Sequence, residues 1–190
     1  FQYGEKKDWG EQYLLRVARH EAGHALLCWQ AGTTPTYLTI SARGEHGGYM
    51  QHAEEDFRAP LKTREQLLND VRTSLAGRAA ELVYYGAQGG LATGAAGDLR
   101  KATAVVRRMI CDYGMDEQFG LAVLSDEEAH GAEVTARIRS VLSEELNRTV
   151  AVVEENKARI DRLVDALMEH NSLNREQICL LYTSDAADDK

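Results

Sequence analysis

Apolar positions recur at helical spacing over most of the chain. In residues 10–31 they return every three or four positions, and Gly32 follows where a helix C-cap glycine would fall. The same spacing recurs in residues 63–85, 98–113 and 130–170. The last stretch is long enough to predict a helical hairpin or an arm packed against the first half.

Two short segments have a different pattern, typical of strands. Residues 36–42 alternate and are rich in β-formers, and residues 49–52 are able to pair back on them. Between them, residues 43–48 supply turn chemistry. This pattern predicts a small β-hairpin beside the helices.

Residues at the expected ends of the helices support their predicted bounds. Thr63, with Gln66 three positions later, predicts a capping box at the start of the second long helix. A glycine-rich loop over residues 86–97 precedes the third, and Asn174 is placed to begin a last short helix. The sequence therefore predicts a mainly α fold with a small β-hairpin.

Composition narrows the class of protein. The 190 residues, 44% apolar and 27% charged, fit one medium globular domain. The net charge is −8 and no basic stripe stands out, which argues against nucleic acid as a partner. The sequence has no run of 18 apolar residues, so we expect any membrane contact to be made by other parts of the protein.

Cysteine usage indicates a reducing compartment. Cys28, Cys111 and Cys179 are far apart in the sequence and odd in number, and the sequence has no C-x-x-C. We therefore expect a cytoplasmic location, at the cytoplasmic face of a membrane if the full-length protein is anchored.

The two ends of the chain differ from its interior. The chain begins at Phe1 rather than Met, so we expect it to be an internal piece of a longer protein. Residues 179–190, CLLYTSDAADDK, resemble the translation of a transposase adapter used in DNA library preparation. We expect a natural domain over residues 1–178, with a helical C-terminal part over about 126–178, followed by a non-native tail.

The strongest chemical signal is the motif His-Glu-Ala-Gly-His. His20 and His24 lie four positions apart, so a helix places both imidazoles on one face, where they are able to bind one Zn²⁺. Glu21 then lies beside the metal as a base for the bound water. The alternative is an amphipathic helix that carries two surface histidines and a solvated glutamate.

A catalytic zinc needs a third protein ligand and an open position. Asp98 is one candidate, because the glycine-rich loop before it lets the backbone approach a site closely. Glu81 is its main rival, and His46 and His52, which flank the predicted second strand, are weaker ones. The residues alone leave these alternatives open.

Four ordered motifs resemble the protease domain of FtsH-type ATP-dependent zinc metalloproteases. They are VARHEAGH at 17–24, LAGRAAE at 75–81, ATGAAGDLRKAT at 92–103 and YGM at 113–115. The resemblance implies a mainly helical fold with a small β element near the active site, and an endopeptidase with one zinc per chain.

Roles of individual residues follow from the same resemblance. It implies that His20, His24 and Asp98 are the zinc ligands and that Glu21 is the catalytic base. It makes Glu81 a structural residue, paired with Arg78 or another arginine nearby. The segment 43–50 resembles the family's arginine-glycine turn and strand.

The resemblance also implies partners. We expect unfolded polypeptides as substrates, a homohexamer in the full-length protein, and ATP use only through an ATPase module. This chain has no Gly-x-x-x-x-Gly-Lys-Ser/Thr, so it holds no such module. The segment Gly47, Gly48, Tyr49 and Met50 is the candidate edge strand on which a substrate adds as another strand.

Two other functions compete with the ATP-dependent endopeptidase. One is a non-enzymatic assembly module built on a zinc domain, which the intact His20, Glu21, His24 and Asp98 disfavour. The other is a stand-alone hydrolase of small peptides, which would cleave without ATP and without a ring.

Overall fold

Seven α-helices and three short strands make up the part of the chain described by the computed structural model, residues 10–41, 48–52 and 61–183. In chain order the elements are α1 Glu11–Gln30, β1 Pro35–Thr39, β2 Tyr49–His52, α2 Arg64–Tyr85, a 3-10 helix Thr93–Ala95, α3 Ala96–Cys111, α4 Asp126–Ala129, α5 Ala132–Glu155, α6 Lys157–His170, β3 Ser172–Asn174 and α7 Arg175–Thr183. The predicted mainly α fold with a small sheet is confirmed.

The predicted caps form where the sequence indicated. Thr63 Oγ1 accepts the Gln66 N–H at 3.2 Å, and Gln66 Oε1 accepts the Thr63 N–H at 2.8 Å. Asn174 and Gln177 make the same reciprocal pair at the start of α7. Each pair satisfies N–H groups that the first turn of a helix leaves without partners.

The long C-terminal periodic stretch divides into two helices. The backbone leaves helical geometry at Asn156, whose side chain donates to the Val152 carbonyl at 2.9 Å. Such a local bond competes with the helical ladder. Helix α5 packs on α2 and α6 packs on α1, so the stretch lies against the first half of the molecule.

The sheet has one strand more than the sequence indicated. Both partners of β1 are antiparallel, in the order β2-β1-β3. The third strand, Ser172–Asn174, was not predicted because three residues are too few to show alternation. Within the described residues β2 pairs only with β1, so it lies at the edge of the sheet.

Helix α2 belongs to both hydrophobic cores. Its residues Ala76, Ala79 and Ala80 pack in a core shared with α1, α6 and the sheet. Its residues Val71 and Leu75 pack in a second core with α3 and α5. The position of α2 therefore determines how α1 and α3 lie relative to each other.

A buried ion pair fixes α5 against α2. Arg72 Nε lies 2.6 Å from Glu145 Oε2, and the Glu145 side chain is only 4% exposed. Arg72 also donates to Asn69 and Glu65. A carboxylate this deeply buried needs such partners, so the pair determines how the two helices align.

Helix α7 crosses the predicted boundary at residue 178. Tyr182 is buried and its ring stacks on Trp29 of α1, with centroids 4.6 Å apart. Residues 179–183 thus continue the helix, while their origin as a non-native tail stays a prediction. None of the three cysteines forms a disulfide. None of the described helices combines the length and hydropathy needed to cross a bilayer.

Candidate metal centre

Helix α1 places His20 and His24 side by side. The two residues are four positions apart on one helix face, and their Nε2 atoms lie 3.2 Å from each other. Both imidazoles are largely buried, with side chains 12% and 9% exposed. The surface-histidine alternative is therefore wrong.

Asp98 reaches the same point from α3. Its Oδ2 lies 3.4 Å from His20 Nε2 and 3.3 Å from His24 Nε2. Asp98 belongs to the first turn of α3, where the helix dipole favours a carboxylate. Among the described residues, these three form the group of side chains placed to hold a metal ion.

The three donor atoms fit zinc. Ligands at about 2.0–2.1 Å in tetrahedral directions lie about 3.3–3.4 Å from one another. The observed separations of 3.2, 3.3 and 3.4 Å agree with that spacing. Two imidazole nitrogens and one carboxylate oxygen are also a donor set that zinc accepts while keeping one position open.

Helix α2 orients both imidazoles through their other nitrogen. His24 Nδ1 lies 2.7 Å from the Thr73 carbonyl oxygen, which only accepts. His20 Nδ1 lies 3.2 Å from Glu81 Oε1. Both rings are therefore assigned an Nδ1–H, which leaves Nε2 as the nitrogen that faces the common point and would bind a metal there.

Glu81 lies outside the group of three donors. Its Oε1 accepts the Nδ1–H of His20, and its Oε2 accepts the Ala92 N–H at 3.1 Å. Arg78 Nε lies 3.4 Å from Oε2, the arginine pairing expected from the resemblance. Burial alone would raise the pKa of Glu81, but the bonds from His20 and Ala92 outweigh burial and lower it.

Neither of the two histidine rivals has a side chain among those that the structure describes. His46 lies outside the described residues. His52 ends β2, but its side chain is not among those described.

Glu21 lies beside the three donors. It is 8% exposed, and this burial raises its pKa, although the charges of His24 and His20 oppose the shift. The start of the edge strand is next to it, since a Cβ added to Gly48 would lie 3.1 Å from Glu21 Cγ. Tyr49 and Met50 follow in β2, while Gly47 lies outside the described residues.

The metal-free centre keeps a proton on His20. Burial lowers the pKa of His20, but hydrogen bonds to Asp98 and Glu81 outweigh burial and raise the pKa to about 9. Burial alone would raise the pKa of Asp98, but hydrogen bonds from His20 and His24 outweigh burial and hold that pKa well below the usual range. A metal ion held by His20 would take the place of the proton on Nε2, while the Nδ1–H would stay with Glu81.

The model of peptidase family M41 matches residues 11–181, nearly the whole described chain. This chain belongs to peptidase family M41. The predicted family is thereby confirmed, and because it is a family of peptidases, so is the prediction of an enzyme of the peptidase class.

Similar proteins come from bacteria, plants and animals. An "ATP-dependent zinc metalloprotease FtsH" of Nitrosococcus oceani is 34% identical over 89% of this chain and 29% of its own length. The rice protein "ATP-dependent zinc metalloprotease FTSH 6, chloroplastic" is 36% identical over 88% and 27%. The mouse "Mitochondrial inner membrane m-AAA protease component AFG3L2" is 33% identical over 87% and 22%. The chain thus spans less than a third of these relatives.

Two residues of the centre were not singled out from the sequence. Thr73 contributes only its backbone carbonyl, so its residue type gives no signal, and Gly77 contributes only an absent side chain. The signal that could have found them is their spacing, because Thr73, Gly77 and Glu81 are each one helical turn apart.

Metal content separates the roles of Asp98 and Glu81. After dialysis, the Asp98→Ala variant should keep less than about a tenth of an equivalent of zinc, because two imidazoles alone do not hold a catalytic zinc. The Glu81→Ala variant should still bind zinc, about 10–100-fold more weakly, because it loses only an orienting partner. Full occupancy in the Asp98 variant with loss in the Glu81 variant would reverse the two roles.

Zinc affinity should depend on pH. Because one proton leaves His20, the affinity should rise about tenfold per pH unit between about pH 6 and 8. Competition with a chelator whose own pKa values are known measures the zinc affinity at each pH. In the Glu81→Gln variant the His20 pKa should fall, because the charged hydrogen-bond partner is lost. The rise of zinc affinity with pH should therefore level off at a lower pH. An affinity that is independent of pH in the unaltered protein would contradict the protonated His20.

Proposed function

We propose that this chain is the zinc-dependent endopeptidase domain of an ATP-dependent protease, acting on unfolded polypeptides. The observation that carries the proposal is the convergence of three donor atoms, from His20, His24 and Asp98, within 3.2–3.4 Å of one another beside a buried glutamate.

The three donors are proposed as the ligands of a single zinc ion. They come from two different helices, and the Nδ1 atoms of both histidines are occupied by α2, so each ring offers only its Nε2. When bound, zinc acts as a Lewis acid that polarises a water molecule and the scissile carbonyl.

Glu21 is proposed as the base that takes a proton from the attacking water. It follows His20 directly in the sequence and is buried at the same centre. Burial raises its pKa toward the range in which a carboxylate both accepts a proton and releases it again. Glu21 then passes the proton to the amine that leaves.

No nucleophilic side chain is needed for this route. Cys28 lies one helical turn beyond His24 and donates to the Thr33 carbonyl at 3.2 Å. It is buried in the same helix and does not belong to the group of three donor side chains. Its role is packing rather than attack.

The substrate is proposed to add to the edge of β2 that no described strand occupies. An extended polypeptide there gains backbone hydrogen bonds whatever its sequence, which suits unfolded substrates. Gly48 lies against both Glu21 and the Thr39 carbonyl, so a chain paired with Tyr49 and Met50 would run beside the centre. Gly47 extends this proposed segment toward the turn.

Hydrolysis is tested by removing the base alone. Glu21→Gln keeps the shape of the side chain and should keep zinc, but it should cut an unfolded protein such as casein at least about 100-fold more slowly. Glu11→Gln, an exposed change on the same helix, serves as the matched control and should cut normally. Cleavage by Glu21→Gln at the unaltered rate would remove Glu21 from the reaction.

The remaining parts of the proposal concern the full-length protein. Its relatives are named ATP-dependent, and this chain holds no ATPase motif, so we propose an ATPase module elsewhere in the same polypeptide. We also propose a reducing, cytoplasmic compartment, because the three cysteines form no disulfide, and fractionation of cells carrying the full-length protein would test it.

The oligomeric state distinguishes the proposed ATP-dependent protease from a small-peptide hydrolase. We expect the full-length protein to form homohexamers and to degrade casein only with ATP, because a ring is needed to feed threaded chains to the centre. Mass photometry measures the assembly and gel analysis the digestion. Monomers that rapidly cleave short peptides without ATP would instead support the hydrolase.

A further inference from the structure

Helix α2 presents three consecutive turns to the histidines of α1. The Thr73 carbonyl accepts from His24 Nδ1, and the Glu81 carboxylate accepts from His20 Nδ1. Gly77 lies midway between them, four residues from each. Residues four apart share one face of a helix, so Gly77 faces the same centre.

The space beside Gly77 is filled by the imidazole of His20. A Cβ added to Gly77 would lie 2.3 Å from His20 Cε1, 2.3 Å from Nε2 and 2.5 Å from Nδ1. The three distances are nearly equal, so the missing methyl group points at the ring rather than at a single atom. No side chain fits at residue 77 while the ring keeps this position.

We infer that Gly77 is a positioning residue for the metal centre, because its missing side chain is what lets the His20 Nε2 reach the point shared with His24 and Asp98. The inference rests on the proposed zinc site. Glycine is the one residue that lets the α2 backbone contact the ring. Any larger residue would rotate His20 away from the other two donors.

A second glycine shows how this role differs from ordinary helix packing. A Cβ on Gly23 would lie 2.8 Å from the Ala76 carbonyl oxygen and 3.1 Å from the Ala80 Cβ, both in the wall of α2. Those atoms are fixed by the helix, so a side chain at Gly23 would separate the two helices. The obstacle at Gly77 is the end of a side chain, which is able to turn.

The two glycines therefore predict different kinds of damage. Replacing Gly77 should leave the fold intact, because His20 can move and because alanine favours a helix interior more than glycine does. What should be lost is the geometry of the three donors. Stability without metal and affinity for zinc should thus change independently.

The test compares Gly77→Ala with Gly97→Ala. Gly97 lies in α3 directly before Asp98, and a Cβ added there would have no atom within 4 Å apart from those of its chain neighbours and the adjoining helix backbone. Chelator competition measures zinc affinity, and thermal unfolding of the metal-free proteins measures stability. Gly77→Ala should bind zinc at least about 100-fold more weakly, with no fall in metal-free Tm. Gly97→Ala should bind zinc as tightly as the unaltered protein.

A double variant shows whether Gly77 acts through His20. In a His20→Ala background the ring is gone, so Gly77→Ala should cause no further loss of zinc affinity. A further loss there would overturn the inference. Should Gly77→Ala alone not fold, the double variant should fold as His20→Ala does, and its failure to fold would overturn the inference as well.

The outcome also separates this inference from the proposed function. Tight zinc binding by the unaltered protein and by Gly77→Ala alike would overturn only the role of Gly77. Absence of zinc binding in the unaltered protein and in Gly97→Ala would overturn the proposed zinc site, and the inference with it.

Discussion

Close packing of α1 on α2 is the constraint on which the candidate centre depends. Gly23 of α1 lies against the Ala76 carbonyl and Ala80 of α2, so the two backbones approach where a larger residue would hold them apart. At that distance the Nδ1 atoms of both histidines reach acceptors on α2. The tautomers, and thus the directions of the Nε2 lone pairs, follow from how these two helices meet.

Glu81 connects the two separate parts of the centre. One carboxylate oxygen orients His20, and the other accepts the N–H of Ala92 in the loop that leads to Asp98. The Arg78 side chain adds a bond to the Ala92 carbonyl. A single buried carboxylate therefore holds both His20 and the loop that leads to Asp98, which explains why a residue of ligand chemistry lies near the centre without belonging to the group of three donors.

Much of the fold could be predicted because its signals are local. Helical periodicity located the long helices, and the capping pairs at Thr63 and Asn174 located two helix starts. The strand β3 and the break at Asn156 were harder. The first is too short to show a period, and the second comes from a side-chain bond that competes with the helical ladder within a continuous apolar stripe.

By itself the sequence determined that His20 and His24 share a helix face with Glu21 beside them, because helical geometry fixes the relation of residues four apart. It left Glu81, His46 and His52 as rivals of Asp98, and the resemblance to a family strengthened the case for Asp98. The tertiary structure decided that Asp98 lies beside the Nε2 atoms of both histidines, whereas Glu81 contacts the Nδ1 atom of His20. The roles of Thr73 and Gly77 also appeared only there. The physical reason is that these relations join residues far apart in the chain, and helix packing, not local spacing, sets their distances.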